Sequence, residues 1–445
     1  MGGNKMKNKS LLLVLIGLVA LFLVACSGDG DSTDSDASDV KTVGEDLEDA
    51  TELSFWTFSE THSEFFIDAA ENWNEEHPDK TIKLNAEVYP FDSMHNNLLL
   101  ALQSGEGAPD IADIELTRFP NFMQGEPQLL SMNEYIEPEL ENFVEARFEI
   151  YSKDGTYYGL PTHVGAAVMY YNTEILDAAG VNPDDIQTWD DFIESGKQVV
   201  QNTDALMTNT FPGDLSPYNH MVSQQGSDFV DDEGNITLNA EENIRALELL
   251  KQMQDEGIAE IAPGGQPHAE EFYGYMNDGG AAAISMPIWY MSSMTGNMPD
   301  LKGKMIIRPM PAFEEGGDRS AGIGGTGTVV TNTTEHGELA KEFLAYAKLS
   351  KEANIKLWTL LGFDPPRHDI WDDPAMLEDN EYYQYFGDDI FETLEDVRDE
   401  INAMNTTEDT PNISSEITTN TLNRVLREES HTAEEALNQS QEALE

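Results

Sequence analysis

The chain predicts an α/β fold on three observations: strand-like and helix-like periodicities alternate along it, turn residues separate them, and 40% apolar with 9% aromatic content suffices for a sizeable core. Leu53–Phe58 alternates as a strand. Thr61-x-x-Glu64 then reads as a capping box, and Phe65, Phe66, Ala69, Ala70 and Trp73 share one helical face before Pro78 stops the helix. Ile82, Leu84, Ala86 and Val88 alternate as a second strand, Met94, Leu98 and Leu102 space out a second helix, and a strand over 110–115 follows. This β-α-β-α-β order predicts a parallel sheet with helices on both faces.

The apolar run Ala166–Tyr171, closed by Asn172, suits a buried strand, and a helix over Thr173–Ala179 ends at Gly180. Trp189-Asp190-Asp191-Phe192 opens another helix, and Asp231-Asp232-Glu233-Gly234-Asn235 is a turn. Beyond it Ile244, Leu247, Leu250 and Met253 line a long helix. Ala281–Met286 is a small-residue strand running into Pro287-Ile288-Trp289-Tyr290, and Val329-Val330 precedes a helix near Leu339–Tyr346. From about 350 onward acidic helices and loops follow, and no fixed-period repeat is present. A chain of 445 residues divides into two or three structural units.

Charge narrows the function classes. Against 84 acids stand 24 bases, a formal net charge of −60, which excludes a phosphate-driven nucleic-acid binder and electrostatic docking on anionic lipid. The excess acid is spread along the chain, as expected of a surface kept hydrated in a saline or alkaline exterior. One cysteine rules out an intramolecular disulfide and a cysteine-based zinc site. That cysteine stands where the N-terminal signal ends. Lys5, Lys7 and Lys9 precede an apolar run from Leu11 to Ala25, too short for a stable membrane span and fitting a secretory h-region. Leu23-Val24-Ala25-Cys26 resembles a bacterial lipobox, so residues 1–25 read as a lipoprotein signal peptide and Cys26 as the lipidated residue. Residues 26–50, rich in Ser, Asp and Gly, read as an acidic disordered tether. Asp29, Asp31 and Asp34 lack the glycine and terminal glutamate of a calcium loop.

Motifs for chemistry are sparse. Gly322-Ile323-Gly324-Gly325-Thr326-Gly327 spells G-x-G-x-x-G, but a strand-like Thr328-Val329-Val330-Thr331 follows where a dinucleotide site needs a helix. A glycine-rich crossover that something must approach closely is the better reading. No H-E-x-x-H and no G-x-S-x-G occur, and the nine histidines are scattered, so no metal, cofactor or catalytic residue is expected. The aromatics say more. Trp56 and Phe58 end the first strand, Trp289 and Tyr290 end another, and Trp358 lies just before Gly362. Ligands of open α/β sheets bind beyond the carboxyl ends of strands. An aromatic ring there can lie against the C–H face of a sugar, although each of these is equally well placed to be core. Trp73 and Trp189 sit in helical patterns and read as core.

Together these features resemble the extracellular solute-binding proteins of bacterial ABC sugar importers. The resemblance covers essentially the whole chain. Its motifs, in order, are the lipobox, Leu53–Phe58, Gly107-Ala108-Pro109-Asp110-Ile111, Gly155-Thr156-Tyr157-Tyr158-Gly159-Leu160-Pro161, Tyr170-Tyr171-Asn172, Thr188-Trp189-Asp190-Asp191-Phe192, Asp232–Leu238, Gly324-Gly325-Thr326-Gly327 and Gly362-Phe363-Asp364-Pro365-Pro366-Arg367. Within that family Val88–Asn96, Pro109–Glu115, Ile150-Tyr151-Ser152-Lys153, His163–Ala166 and Val168–Asn172 are most similar to arabinose or arabino-oligosaccharide binders.

The resemblance implies a two-lobe periplasmic-binding-protein-like fold with a hinge of three crossing segments near 162–165, 319–322 and 348–352. One lobe would be 51–163 plus 321–349, the other 164–320 plus 350–445 with an acidic helical tail. Trp56, Phe58, Glu60 and His62 would face the cleft after the first strand, Glu115 and Arg118 after the Pro-Asp-Ile motif, and His163 at the first crossing. Trp289 with Tyr290 would supply a stacking aromatic, and Trp358 and Arg367 would flank the last hinge. Maltose-type relatives carry an aromatic where Asp113-Ile114-Glu115 stands here, which speaks against a long glucan. The implied function is a non-catalytic binding lipoprotein on the extracellular side of the cell membrane, a monomer that takes a monosaccharide or small oligosaccharide and serves ABC permease subunits. The rivals are a secreted glycosidase or lyase, favoured by product release from a polysaccharide, and a surface adhesin, favoured by matrix binding that small sugars do not compete.

Overall fold

The structure is a computed structural model that describes residues 39–231, 233–401 and 404–445. Among the described residues no helix is long and apolar enough to cross a membrane. The signal segment and Cys26 lie outside them.

The expected β-α-β-α-β unit is present. After strand β1 (Asp39–Val43), strands β2 (Thr51–Thr57), β3 (Ile82–Val88) and β4 (Ile111–Glu115) alternate with helices Glu60–Glu76 and Phe91–Ser104. In β3 the apolar positions Ile82, Leu84, Ala86 and Val88 are all buried, and the residues between them are half-buried. The first helix is capped by Ser59, whose hydroxyl accepts from the His62 amide at 3.4 Å, and not by Thr61. Strand β1 corrects the expected tether: Asp39–Val43 pairs antiparallel with β3 and forms the edge of the sheet.

A short hairpin, β5 (Ser152–Lys153) and β6 (Thr156–Tyr157), precedes β7 (Gly159–Pro161) and β8 (Ala167–Asn172). Then come β9 (Thr208–Thr210), β10 (Ala259–Ile261), β11 (Ala283–Pro287), β12 (Met305–Arg308) and β13 (Thr326–Val330). The first sheet runs in the order β1-β3-β2-β4-β13-β7. Pairs β2–β3 and β2–β4 are parallel, whereas β13 runs antiparallel to both β4 and β7. The expected parallel sheet is therefore mixed, because a strand from late in the chain is inserted beside β4. A second sheet pairs β11 and β12 antiparallel with β8, and β9 with β10 forms a parallel pair.

Two apolar cores follow from this. The first gathers Leu53, Phe55, Phe65, Phe66, Trp73, Leu84, Ile111, Phe343 and Leu344, and the second Val168, Tyr170, Ile284, Met286, Met294, Ile307, Trp371 and Phe386. Chain segments between them run side by side. The Thr162 amide donates to Thr326 O (2.9 Å), Val164 to Asp364 O (2.9 Å), Ile323 to Gly165 O (2.8 Å) and Ala167 to Ala321 O (2.9 Å). The last passage between the cores comes later than 348–352. Helix Lys351–Leu361 contributes Ala353, Leu357 and Leu361 to the first core and Trp358 to the second, and Phe363 still packs in the first.

Candidate ligand-binding site

At the carboxyl end of β2 the half-buried Trp56 ring packs on Tyr89, centroids 5.0 Å apart. Phe58, also half-buried, lies 5.1 Å from Phe91, 5.2 Å from His95 and 6.0 Å from His62. Glu60 is exposed on the first turn of its helix. His62 is buried because it belongs to a polar network under the strand ends: its Nδ1 is 2.8 Å from the Asp113 carboxylate, which also accepts from the Thr57 and Thr328 hydroxyls, each at 2.7 Å. Burial raises the Asp113 carboxyl, but His62, Lys348 and Thr328 outweigh that and hold it below the usual carboxylate range.

At the carboxyl end of β4 His95 is fixed from both sides. Its Nδ1–H donates to Phe91 O at 2.7 Å, and Nε2 accepts from the Glu115 amide at 3.0 Å. Burial lowers it to about 4, so it is a neutral ring with one defined tautomer. The Glu115 carboxylate accepts from the Thr117 amide (2.8 Å) and hydroxyl, and burial raises it to about 7. Arg118 pairs with Asp92 at 2.7 Å and lies 5.5 Å over Phe91. Thus Phe58, His62, Glu115 and Arg118 come together with Phe91 and His95 around two neighbouring strand ends.

His163 is buried at the first crossing, its ring 5.2 Å from Phe363, which also meets His62 at 5.8 Å. Burial drives its pKa well down, so it too is neutral. Trp289 is half-buried and packs against both cores. Its indole lies nearly parallel to His268 at 5.9 Å, and Nε1 would be 3.3 Å from a Cβ at Gly324. Gly324 (φ +72°) and Gly325 (φ +151°) then lead directly into β13, so the glycine run is a close backbone approach and not the start of a phosphate-binding helix.

The remaining three expected site residues are placed in packing. Tyr290 is buried and donates to Pro267 O at 2.6 Å. Trp358 is fully buried, with Nε1 3.1 Å from Met376 O and its ring against Tyr382, Tyr383 and Phe391. Arg367 is buried over Phe143 and bonds Asp369 (2.8 Å), Glu139 (2.9 Å) and Leu349 O (2.7 Å). A ring that ends an apolar run serves a core or a cleft equally well, and here the helix that carries Tyr382 and Tyr383 covers Trp358. Sequence reasoning missed His95, Arg147, Tyr151, Lys348 and Asp364; the i, i+4 spacing of Arg147 and Tyr151 was the available signal.

Residues 59–354 match the family of bacterial extracellular solute-binding proteins. The chain belongs to that family. Among its relatives, an arabinooligosaccharide-binding protein of Halalkalibacterium halodurans is 61% identical over 92% of each chain. Another, from Bacillus subtilis, is 46% identical over 96% of each. Solved structures with the same fold include the GacH receptor of Streptomyces glaucescens, with a TM-score of 0.72 and 19% identity over 89% of this chain and 98% of that one. The sugar-binding protein MalE of Xanthomonas citri gives 0.76 and 18% over 88% and 96%. As a solute-binding protein the chain is an α/β molecule of the periplasmic-binding type, and the two cores bridged by Trp289 fit that architecture.

Proposed function

We propose that this solute-binding protein captures arabinose or arabino-oligosaccharides in a cleft between two lobes, one around each core, and delivers them to the permease of an ABC importer. The observation that carries the reading is the 61% identity to a protein named for arabino-oligosaccharide binding. The site chemistry supports it: exposed faces of Trp56, Phe58 and Trp289 suit the C–H face of a sugar ring, and Glu115, Arg118 and the neutral His163 suit its hydroxyls. Crossing segments 162–167, 320–326 and 362–367 serve as the hinge of a closure that desolvates the sugar. Diacylglycerol on Cys26 holds the protein at the outer face of the membrane, and residues up to 38 link that anchor to β1. The protein acts as a monomer and breaks no bond.

The test is a tryptophan fluorescence titration with arabinose, arabino-oligosaccharides, xylo-oligosaccharides and maltose. A saturable change with the arabinose series and a weaker one with maltose is expected. No response to any sugar refutes the function.

A further inference from the structure

Below the cleft four buried side chains carry polar atoms with no hydrogen-bond partner among the described residues: Arg147 Nε and Nη1, Tyr151 Oη, His163 Nδ1 and Asp364 Oδ1. Arg147, Tyr151 and Asp364 are fully buried and His163 is 6% exposed. They converge on the crossing segments. A Cβ on Gly325 would lie 2.7 Å from Arg147 Nη2 and 2.8 Å from Tyr151 Oη, and one on Gly165 would lie 3.3 Å from His163 Nδ1. The other edges are pinned: Arg147 Nη2 donates to Gly324 O, and Asp364 Oδ2 accepts from the Ala166 amide at 2.8 Å. Asp364 is close enough to Arg147 for its carboxylate to act on the guanidinium, and burial keeps the Tyr151 hydroxyl protonated.

Buried polar atoms are almost always paired, so a converging unpaired set marks a place where something binds. Arg147 and Tyr151 offer donors, Asp364 an acceptor, and a neutral His163 either. A hydroxyl both donates and accepts and therefore matches the whole set. A metal cation is repelled by the guanidinium, and an inorganic anion by the carboxylate. We infer that Arg147, Tyr151, His163 and Asp364 form a buried subsite that takes the hydroxyls of one terminal sugar ring of the ligand. This rests on the proposed function. Because its walls come from all three crossing segments, filling it favours the closed hinge.

The experiment compares wild type, Tyr151→Phe and Asp364→Asn by calorimetric titration with arabinotriose, with thermal melts run alongside. Tyr151→Phe removes an unpaired buried hydroxyl, so its melting temperature should equal or exceed the wild-type value while arabinotriose binds at least tenfold more weakly. Asp364→Asn keeps the acceptor for Ala166 and should weaken binding by a similar factor. If wild type binds and both variants bind within twofold of it, the cluster holds water only and the inference fails. If wild type binds no arabino-oligosaccharide, the proposed function itself fails, and the subsite with it.

Discussion

Lys348 is 1% exposed in the first core, its ammonium 2.7 Å from the Thr162 hydroxyl and 5.7 and 5.8 Å from the Phe65 and Phe66 rings. Burial lowers it from 10.5 to about 8, although the Asp113 charge pulls the other way. A base whose folded pKa is depressed binds fewer protons folded than unfolded between the two values. Stability therefore rises with pH across that window, by up to about 1.36 kcal/mol per pH unit for one proton. Integrated from pH 8 to pH 10, the gain is about 2 kcal/mol. Lys348→Met removes the titration. Urea unfolding of wild type and variant at pH 7.5, 9 and 10 should show a difference that shifts by about 2 kcal/mol in favour of wild type as pH rises. Taking that difference cancels the surface groups common to both proteins. A parallel pH response of the two would refute the argument, and would mean that the ammonium keeps its ordinary affinity for the proton. In an importer component the same lysine ties helix Gly337–Leu349 to the first crossing, so its charge state also sets how firmly that segment is held.

Three further outcomes test the same structure. Asp113→Ala leaves His62, Thr57 and Thr328 without their acceptor and Lys348 without its counter-charge, so the urea midpoint should fall by the equivalent of ~3–5 kcal/mol; a loss under about 1 would show the network to be dispensable. Gly165→Ala puts a Cβ 2.2 Å from Ile323 O at φ +77°, and should cost roughly 3 kcal/mol in the same assay. Trp358→Phe should lower the melting temperature yet leave arabinotriose affinity within about twofold, whereas Trp289→Ala, on a half-buried ring, should weaken binding more than stability; the reverse pattern would return Trp358 to the site.

What could be read from the residues alone divides along a physical line. The β2–β4 unit was legible because alternation in Ile82–Val88 and the helical spacing of Met94, Leu98 and Leu102 are local facts, and local burial enforces them. Strand β1 was not, since Asp39–Val43 mixes valine with polar residues on both faces and is held by pairing with β3. The place of β13 between β4 and β7 is likewise a contact across more than 150 residues of chain, and nothing in Thr326–Val330 announces it. The site divides the same way. Position after a strand identified Trp56 and Phe58, and the family resemblance Glu115, all of which do lie at strand ends, but the strand rule also admitted Tyr290, whose hydroxyl is spent on Pro267. Which aromatics are covered is decided by helices such as Glu381–Phe386 that pack from elsewhere, as Tyr382 and Tyr383 do over Trp358. Charge misled most. Arg147 carried no sequence signal of burial in so acidic a chain, yet it and Asp364 are fully buried, Arg147 beside Gly324–Gly325, the stretch that the sequence singled out for close approach, and Asp364 at the Ala166 amide. The glycines were the legible half of that cluster; Gly325 leaves room for Arg147 and Tyr151 and Gly165 for His163, side chains that only the folded chain brings to them.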